Sequence, residues 1–331
     1  MPLTESRLVF EPFEYPKAYE YWEIQQQAHW LHSEVIMSRD IHDWKFNLDE
    51  NSKNIIGSTL KGFTQMEVAV NDYWMNKVGH WFKIPEISMM ASAFANMESI
   101  HAKAYAYLND SLGLQDYEAF LREPAAMSKI DNLVDVDCNN ISEMALSLAV
   151  FSAFGEGVQL FSSFAILLSF STKNLLKGVG EIISFSVRDE SLHSEAGCWL
   201  FRTLIKENPE LFTDEMKDQI LEAARVAVKL EDDFIDMVFA NGTSLQIIDE
   251  GKLVEITPKD IKNYIRYRAN TKLGDLGLGK NWKSITDESI KNMAWFDKLT
   301  VGQQYQDFFA GRVSDYSKGS VDWGLVFQEG E

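Results

Sequence analysis

Apolar residues recur at steps of three and four along most of this chain of 331 residues, and this spacing is the period of an amphipathic helix. Between Pro124 and Pro209 the chain has no proline, a residue that interrupts helices because it lacks an amide hydrogen and clashes with the preceding turn. We therefore predict one all-α domain over residues 1–311, followed by a flexible C-terminal tail over 312–331. The predicted helices cover 17–33, 52–81, 86–109, 129–176 with a break, 178–206, 213–240, 257–269 and 286–299.

Two segments depart from this amphipathic pattern. In 244–257, β-prone runs flank the turn-forming sequence Asp-Glu-Gly, which predicts a small β-hairpin. The stretch 145–170 is as apolar as a membrane-spanning helix, but Glu156 within it would be costly at bilayer depth. Because the centre of a large bundle also requires a helix that is apolar all round, we predict a buried core helix there.

Two of the six histidines, His101 and His193, have a glutamate three residues earlier. At that spacing on a helix, both side chains project from one face and can bind one ion. A single motif of this kind is common on solvated helices, but here each motif lies in an otherwise apolar stripe. An unpaired charge in a core is heavily penalised, so these side chains need a partner such as a metal ion. The stripes are Phe94, Glu98, His101, Tyr105 and Leu108, and Ile182, Ser186, Glu190, His193, Gly197 and Leu200.

Each motif also has an upstream glutamate on an apolar helix. Glu67 lies 31 residues before Glu98, and Glu156 lies 34 residues before Glu190. Four-helix bundles with carboxylate-bridged metals use one Glu from each of two helices and Glu-x-x-His from each of the other two. Four carboxylates and two divalent ions also balance in charge when both imidazoles are neutral. Oxygen-rich ligation with two imidazoles favours iron or manganese. The predicted metal ligands are Glu67, Glu98, His101, Glu156, Glu190 and His193.

The composition narrows the function classes. The chain has 31 basic and 50 acidic residues, a net charge of −19, which argues against binding to nucleic acid or to an anionic membrane surface. Its two cysteines, Cys138 and Cys198, have no paired spacing, which disfavours a disulfide scaffold and a thiolate zinc site. The first residues also lack the pattern of a signal peptide. We therefore predict a cytoplasmic protein.

Tyr105 lies one helical turn after His101 on the same face, so its ring is expected close to the metals. It is either an ordinary core tyrosine or a one-electron donor to an oxidised metal pair. A dinuclear centre in such a bundle can store metal, oxidise a small substrate of its own, or generate a protein radical. The residues alone leave these three functions open.

Glu98-x-x-His101 followed by Tyr105, the run Arg188-Asp189-Glu190-x-x-His193 and the segment WLHSEVIMSRD (30–40) together resemble the small (β) subunit of class I ribonucleotide reductase. The resemblance extends from Trp30 to RVSDY (312–316). It implies a ferritin-like bundle and a homodimer whose dinuclear centre activates oxygen and oxidises Tyr105 to a tyrosyl radical. It also implies a large (α) subunit, without which a thioredoxin-type ribonucleoside-diphosphate reductase is inactive.

The same resemblance implies a path for the radical. Trp30 matches a tryptophan that bonds an aspartate, here Asp189, which orients a metal-bound histidine, here His101. Tyr316 resembles the tail tyrosine that passes the radical to the large subunit, and the tail after it would dock there. Without the resemblance, Trp30 would be interpreted as a core aromatic and Tyr316 as a surface residue.

One position departs from the family pattern. Many members have Asp at the first ligand position, where this chain has Glu67. Glutamate there resembles members with a manganese–iron centre and also di-iron monooxygenases with four Glu and two His. Those manganese–iron members typically lack the radical tyrosine, which Tyr105 supplies here. The resemblance thus favours Fe/Fe, with Mn/Mn or Mn/Fe as alternatives. A di-metal oxygenase or oxidase and a metal-storage bundle are the alternative functions.

Overall fold

The computed structural model describes residues 2–114, 124–134 and 138–300, which fold mainly into α-helices. Proline is the first residue of four of these helices, a position where its missing amide hydrogen costs nothing. The helices are α1 (Pro16–Gln27), α2 (Ser38–Phe46), α3 (Glu50–Asp72), α4 (Pro85–Leu112), α5 (Pro124–Val134), α6 (Ile141–Val150), α7 (Phe161–Thr172), α8 (Lys177–Glu207), α9 (Asp214–Val238) and α10 (Pro258–Asp275). Short 3₁₀ segments cover His32–Glu34, Pro209–Leu211 and Asp287–Met293.

Two π-helical segments extend helices of the bundle. Tyr73–Val78 follows α3 and leads into a last α-helical turn at Gly79–Trp81, and Phe151–Glu156 follows α6. The core is a bundle in which α3 packs along α4, and α6 with its π-helical end packs along α8. The two pairs meet where α4 contacts α8, and α7, which follows α6 in the chain, contacts α3. The predicted all-α architecture, a four-helix bundle elaborated with further helices, is confirmed.

The apolar stretch predicted as a core helix lies inside the bundle. The segment Ile141–Thr172 is long and apolar enough to span a membrane, yet 89% of its most apolar window is buried within the protein. It is not one continuous helix, because the π-helical turn and residues 157–160 separate α6 from α7. The prediction of a buried core segment with a break is therefore confirmed.

The predicted hairpin is present as strands β1 (Leu245–Asp249) and β2 (Lys252–Ile256), which pair antiparallel with Asp249 opposite Lys252. Glu250 and Gly251 form the turn with φ angles of 47° and 76°, the positive values that a two-residue hairpin turn of type I′ requires. The hairpin packs against α7 through β1.

Helix α2 was not predicted, and it holds the start of α8. Leu176 precedes α8 with a φ of 50° and offers no side-chain cap to the first amides. Asp40 of α2 accepts hydrogen bonds from the amides of Gly178 (3.0 Å) and Val179 (2.8 Å) instead. Asp43 accepts one from the Leu176 amide at 3.0 Å. These contacts fix the end of the helix that carries one Glu-x-x-His motif.

Other boundaries also differ from prediction. The helix predicted over 17–33 ends at Gln27, so Trp30 lies in the connection that follows α1. The last predicted helix, 286–299, begins as the 3₁₀ segment Asp287–Met293 and continues as α-helix from residue 294. The predicted tail over 312–331, together with Tyr316, lies outside the described residues.

Gly197 lies where α8 approaches the second π-helical segment, and a Cβ there would overlap the side chain of Ser152. Gly197→Ala should therefore lower the free energy of unfolding by about 1–3 kcal/mol, the usual cost of overpacking a core. The matched control is Gly274→Ala in α10, where a Cβ has open space and helix propensity predicts a gain of up to about 1 kcal/mol. Urea denaturation measures both, and adding Ser152→Gly should restore part of the loss. Equal stabilities for Gly197→Ala and the wild type would contradict the close approach.

Candidate metal centre

Four helical segments bring the six predicted ligands together in the centre of the bundle. Glu67 comes from α3, Glu98 and His101 from α4, Glu156 from the end of the second π-helical segment, and Glu190 and His193 from α8. All six side chains are fully buried, with 0% of their surface exposed. The stripes that contain the two Glu-x-x-His motifs face the core as predicted.

The six side chains form two overlapping groups, each able to hold one cation. Within each group the ligand atoms lie no more than 4.8 Å from one another. Glu98 and Glu190 belong to both groups, so they are positioned to bridge two ions. The first group is Glu67, Glu98, His101 and Glu190, and the second is Glu98, Glu156, Glu190 and His193.

The donor atoms of this set fit a pair of cations. Among the described residues, seven fully buried ligand atoms form no hydrogen bond of regular geometry, although Nδ1 of His193 faces Oε1 of Glu98 and Nδ1 of His101 faces Oε1 of Glu190. They are both oxygens of Glu67 and of Glu190, Oε1 of Glu98, Oε2 of Glu156, and Nδ1 of His193. Buried polar atoms normally have hydrogen-bond partners. A cluster of buried oxygen and nitrogen atoms without them therefore indicates a binding site for cations. Carboxylate oxygens with imidazole nitrogen are the ligand types that bind iron and manganese in such bundles.

Crowded negative charge shifts the pKa values of the metal-free site. Burial, and then the charges of Glu190 and Glu98, raise the pKa of Glu67 and Glu156 well above the usual value. Burial also acts on Glu98, but the neighbouring His193 and His101 outweigh it and lower the pKa of Glu98. The metal-free site therefore holds protons that divalent cations would displace.

Burial, followed by the charge of Glu98, raises the pKa of Glu190 from 4.5 to about 7. The folded metal-free protein thus keeps a proton that the unfolded chain has already lost in this range. This contribution to stability is fully present below pH 4.5 and is lost as the pH rises towards 7. Urea denaturation of the metal-free protein between pH 5 and 7 should show a shallower fall for Glu190→Gln than for the wild type. Equal slopes of stability against pH for Glu190→Gln and the wild type would contradict the raised pKa of Glu190.

Tyr105 is fully buried beside the first ligand group. Its ring lies 6.1 Å from the His101 ring and 4.8 Å from the Phe63 ring, measured between centroids. Its hydroxyl has no hydrogen-bond partner within the described part of the chain. Burial, and then the charge of Glu67, raise the pKa of Tyr105 well above its usual value. The phenol is therefore neutral at physiological pH.

Trp30, Asp189 and His101 contact one another at the edge of the ligand cluster. The Trp30 indole nitrogen donates to Oδ2 of Asp189 at 2.8 Å, and Nε2 of His101 lies 3.2 Å from the same oxygen. The Trp30 and His101 rings are also stacked, with centroids 5.9 Å apart. A carboxylate that holds the outer nitrogen of a metal-binding imidazole fixes the orientation of the ring.

Two residues that contact the ligands were not predicted as site residues. Trp74, in the first π-helical segment, donates its indole N–H to Oε1 of Glu156 at 2.5 Å. Gln25 in α1 contacts both His193 and Asp189. Gln25 follows Ala18 and Tyr21 on the buried face of α1, so a glutamine on an apolar stripe was the available sequence signal.

A four-helix bundle that buries four glutamates and two histidines in two overlapping groups has the fold of the ferritin-like class, and these groups could hold two metal ions. The sequence matches the family "Ribonucleotide reductase, small chain" over residues 7–289. The chain belongs to this family.

Relatives and solved structures agree with the family assignment. A probable ribonucleoside-diphosphate reductase small subunit of Invertebrate iridescent virus 3 is 32% identical, over 97% of this chain and 88% of the viral protein. The ribonucleoside-diphosphate reductase subunit beta of Chlamydia pneumoniae is 26% identical, over 94% of this chain and 91% of its own. The structure of the dimanganese(II)-NrdF of Streptococcus sanguinis superposes with a TM-score of 0.74 at 19% identity, covering 91% of this chain and 99% of its own. That likeness shows a shared fold.

Proposed function

We propose that this chain is the radical-generating small subunit of a class I ribonucleoside-diphosphate reductase, with Tyr105 as the radical residue. The observation that carries this proposal is the placement of the Tyr105 phenol, buried and without a hydrogen-bond partner among the described residues, against a ring of the ligand set. The proposed ligands are Glu67, Glu98, His101, Glu156, Glu190 and His193. A dinuclear iron centre, or a dimanganese or manganese–iron one, supplies dioxygen reduction and the oxidising power for a phenol.

The surroundings of Tyr105 support a long-lived radical. Oxidation removes one electron and the phenolic proton, and the neutral radical that results carries no charge into the core. Phe63 packs on the ring at 4.8 Å and the side chain is fully buried, so water and reductants are excluded from it. An ordinary core tyrosine would usually have a partner for its hydroxyl.

The radical would leave through stacked rings and one carboxylate. Trp30 is itself buried, with 3% of its surface exposed, and it shares Oδ2 of Asp189 with His101. We propose that an electron moves from Trp30 towards Tyr105 through this arrangement, and that Tyr316 continues the path to a large subunit. The chain is proposed to work as a cytoplasmic homodimer. A relative of the same fold from Saccharomyces cerevisiae is described as a homodimer, with a TM-score of 0.68.

The proposal is tested by combining the metal-loaded chain with its cognate large subunit. We expect deoxyribonucleotide formation from ribonucleoside diphosphates with thioredoxin as the reductant, and none from either subunit alone. A chain truncated after Gly311 should keep its metals and radical but lose this activity, because it lacks Tyr316 and the docking tail. Oxidation of a small substrate by the isolated chain, with no gain from the large subunit, would favour a di-metal oxygenase instead. Full activity of the truncated chain would contradict the role of the tail.

A further inference from the structure

A continuous chain of hydrogen bonds joins the outer nitrogens of the two ligand histidines. Nε2 of His193 lies 2.9 Å from Oε1 of Gln25, and Nε2 of Gln25 donates to Oδ1 of Asp189 at 3.3 Å. The other oxygen of Asp189, Oδ2, lies 3.2 Å from Nε2 of His101. All four side chains are at least 99% buried, and Gln25 comes from α1, outside the four helices that carry the ligands.

The carboxylate of Asp189 determines the direction of every bond in this chain. Both of its oxygens face groups that can only donate: the Trp30 indole N–H lies 2.8 Å from Oδ2 and the Arg188 guanidinium 3.2 Å from Oδ1, so the side chain acts as an acceptor. Gln25 must therefore turn its NH₂ group towards Asp189 and its oxygen towards His193. An amide oxygen also accepts only, so Nε2 of His193 must carry the hydrogen.

The other ring nitrogen of each histidine, Nδ1, faces the ligand carboxylates and is thereby available to bind metal. With its hydrogen on Nε2, a neutral imidazole has its lone pair on Nδ1. Nδ1 of His193 lies 2.6 Å from Oε1 of Glu98 and 4.0 Å from Oε1 of Glu156. Nδ1 of His101 lies 3.1 Å from Glu98 and 3.0 Å from Glu190. Both Nδ1 atoms thus point into the cluster of ligand carboxylates.

We propose that Gln25 is a positioning residue that transmits the acceptor character of Asp189 to His193, so that one carboxylate sets the tautomer of both metal-binding histidines. This inference rests on the proposed ligand roles of His101 and His193. Hydrogen-bond partners of metal-binding imidazoles typically contribute 10- to 100-fold to metal affinity.

Loss of Gln25 should weaken one metal position and spare the other. Within the part of the chain that the structure describes, Gln25 is the partner found for Nε2 of His193. Asp189, by contrast, keeps Trp30, Arg188 and His101 when Gln25 is removed. The position that contains His193 is therefore the one that depends on Gln25.

The test is a titration of the metal-free full-length chain with Mn(II), in which electron paramagnetic resonance reports the free ion. The wild type should bind two Mn(II) per chain. Gln25→Met, which keeps the volume but removes both hydrogen bonds, should weaken one position at least 10-fold and leave the other within about twofold. Gln26→Met on the exposed side of the same helix is the matched control and should match the wild type.

Two backgrounds identify which position changes. In His193→Ala, the added Gln25→Met should change the remaining affinity by less than about twofold, whereas in His101→Ala it should weaken the remaining position at least 10-fold. Equal losses in both backgrounds, or none in either, would overturn the inference. A wild type that binds no Mn(II) would overturn the proposed metal centre itself. This result is distinct from failure of the Gln25 inference alone, in which Gln25→Met would bind two Mn(II) as tightly as the wild type does.

The conservative variant Gln25→Glu keeps an oxygen facing His193 and provides a second measure. In its protonated form the new carboxyl donates to Asp189 and accepts from His193 as the amide does, so the Mn(II) affinity should remain within about threefold of the wild type at both positions. If Gln25→Met does not fold, this variant decides the matter alone. A 10-fold loss at the His193 position in Gln25→Glu would then overturn the inference.

Discussion

Replacement of Tyr105 by phenylalanine is expected to abolish the organic radical and to lower ribonucleotide reduction at least about a thousandfold, because Tyr105 is the proposed site of the stable radical. The fold and the metals should be retained. The ring contacts with Phe63 and His101 do not need the hydroxyl, and that hydroxyl has no hydrogen-bond partner among the described residues to lose. Removing an unpartnered buried hydroxyl is close to neutral for stability.

The measurement is electron paramagnetic resonance after aerobic loading with iron or with manganese, combined with the activity assay. The matched control is Tyr107→Phe, two residues further along α4. The Tyr107 hydroxyl donates to the Val35 carbonyl at 3.2 Å, and this half-buried side chain is not among the side chains that contact the ligands. Tyr107→Phe should keep the radical. An unchanged organic radical in Tyr105→Phe would remove Tyr105 from the mechanism.

The burial and clustering of the six proposed ligands could be predicted from the sequence because their signal is local. On α4 and α8, a glutamate and a histidine three residues apart interrupt a stripe that is otherwise apolar, and burial of that stripe follows from its period alone. The burial of Glu67 and Glu156 follows in the same way from the apolar helices around them. Charge in a core requires a counter-charge, so four buried carboxylates already imply cations.

The partners of the ligands could not be predicted in this way, because they depend on contacts between distant segments. Trp74 lies 82 residues before Glu156, and Gln25 lies 168 residues before His193. No periodicity within one helix encodes which side chain of another helix will face it. One of these contacts joins two stretches of special backbone, because Trp74 and Glu156 both lie in π-helical segments, which are frequent at functional sites.

The missed helix α2 has a related cause. Its buried residues are the two aspartates Asp40 and Asp43, so it has no apolar stripe to detect. Its place in the fold comes from the hydrogen bonds that these carboxylates accept from the start of α8, 138 residues away in the case of Asp40 and Gly178. The sequence WLHSEVIMSRD thus combines two functions: Trp30 contacts the site, and Asp40 anchors the helix that carries Glu190 and His193.

The overlap of the two ligand groups leads to a prediction about metal content. Glu98 and Glu190 belong to both groups, whereas Glu67 and Glu156 each belong to one. Glu98→Gln should therefore lose both ions, with each affinity reduced at least about a hundredfold, while Glu67→Gln and Glu156→Gln should each lose one. The wild type should retain two ions per chain after loading and desalting, measured by elemental analysis.

The isosteric amide keeps the shape of each side chain, so a loss of metal reports the missing charge and ligand atom rather than a collapsed core. Glu181→Gln, an exposed position on the same helix as Glu190, is the matched control and should retain two ions. Retention of two ions by Glu98→Gln would show that this carboxylate bridges nothing. Loss of both ions in Glu67→Gln would contradict this independence and would show that the two positions fill only together. The shared carboxylates Glu98 and Glu190 would then couple the two metal affinities.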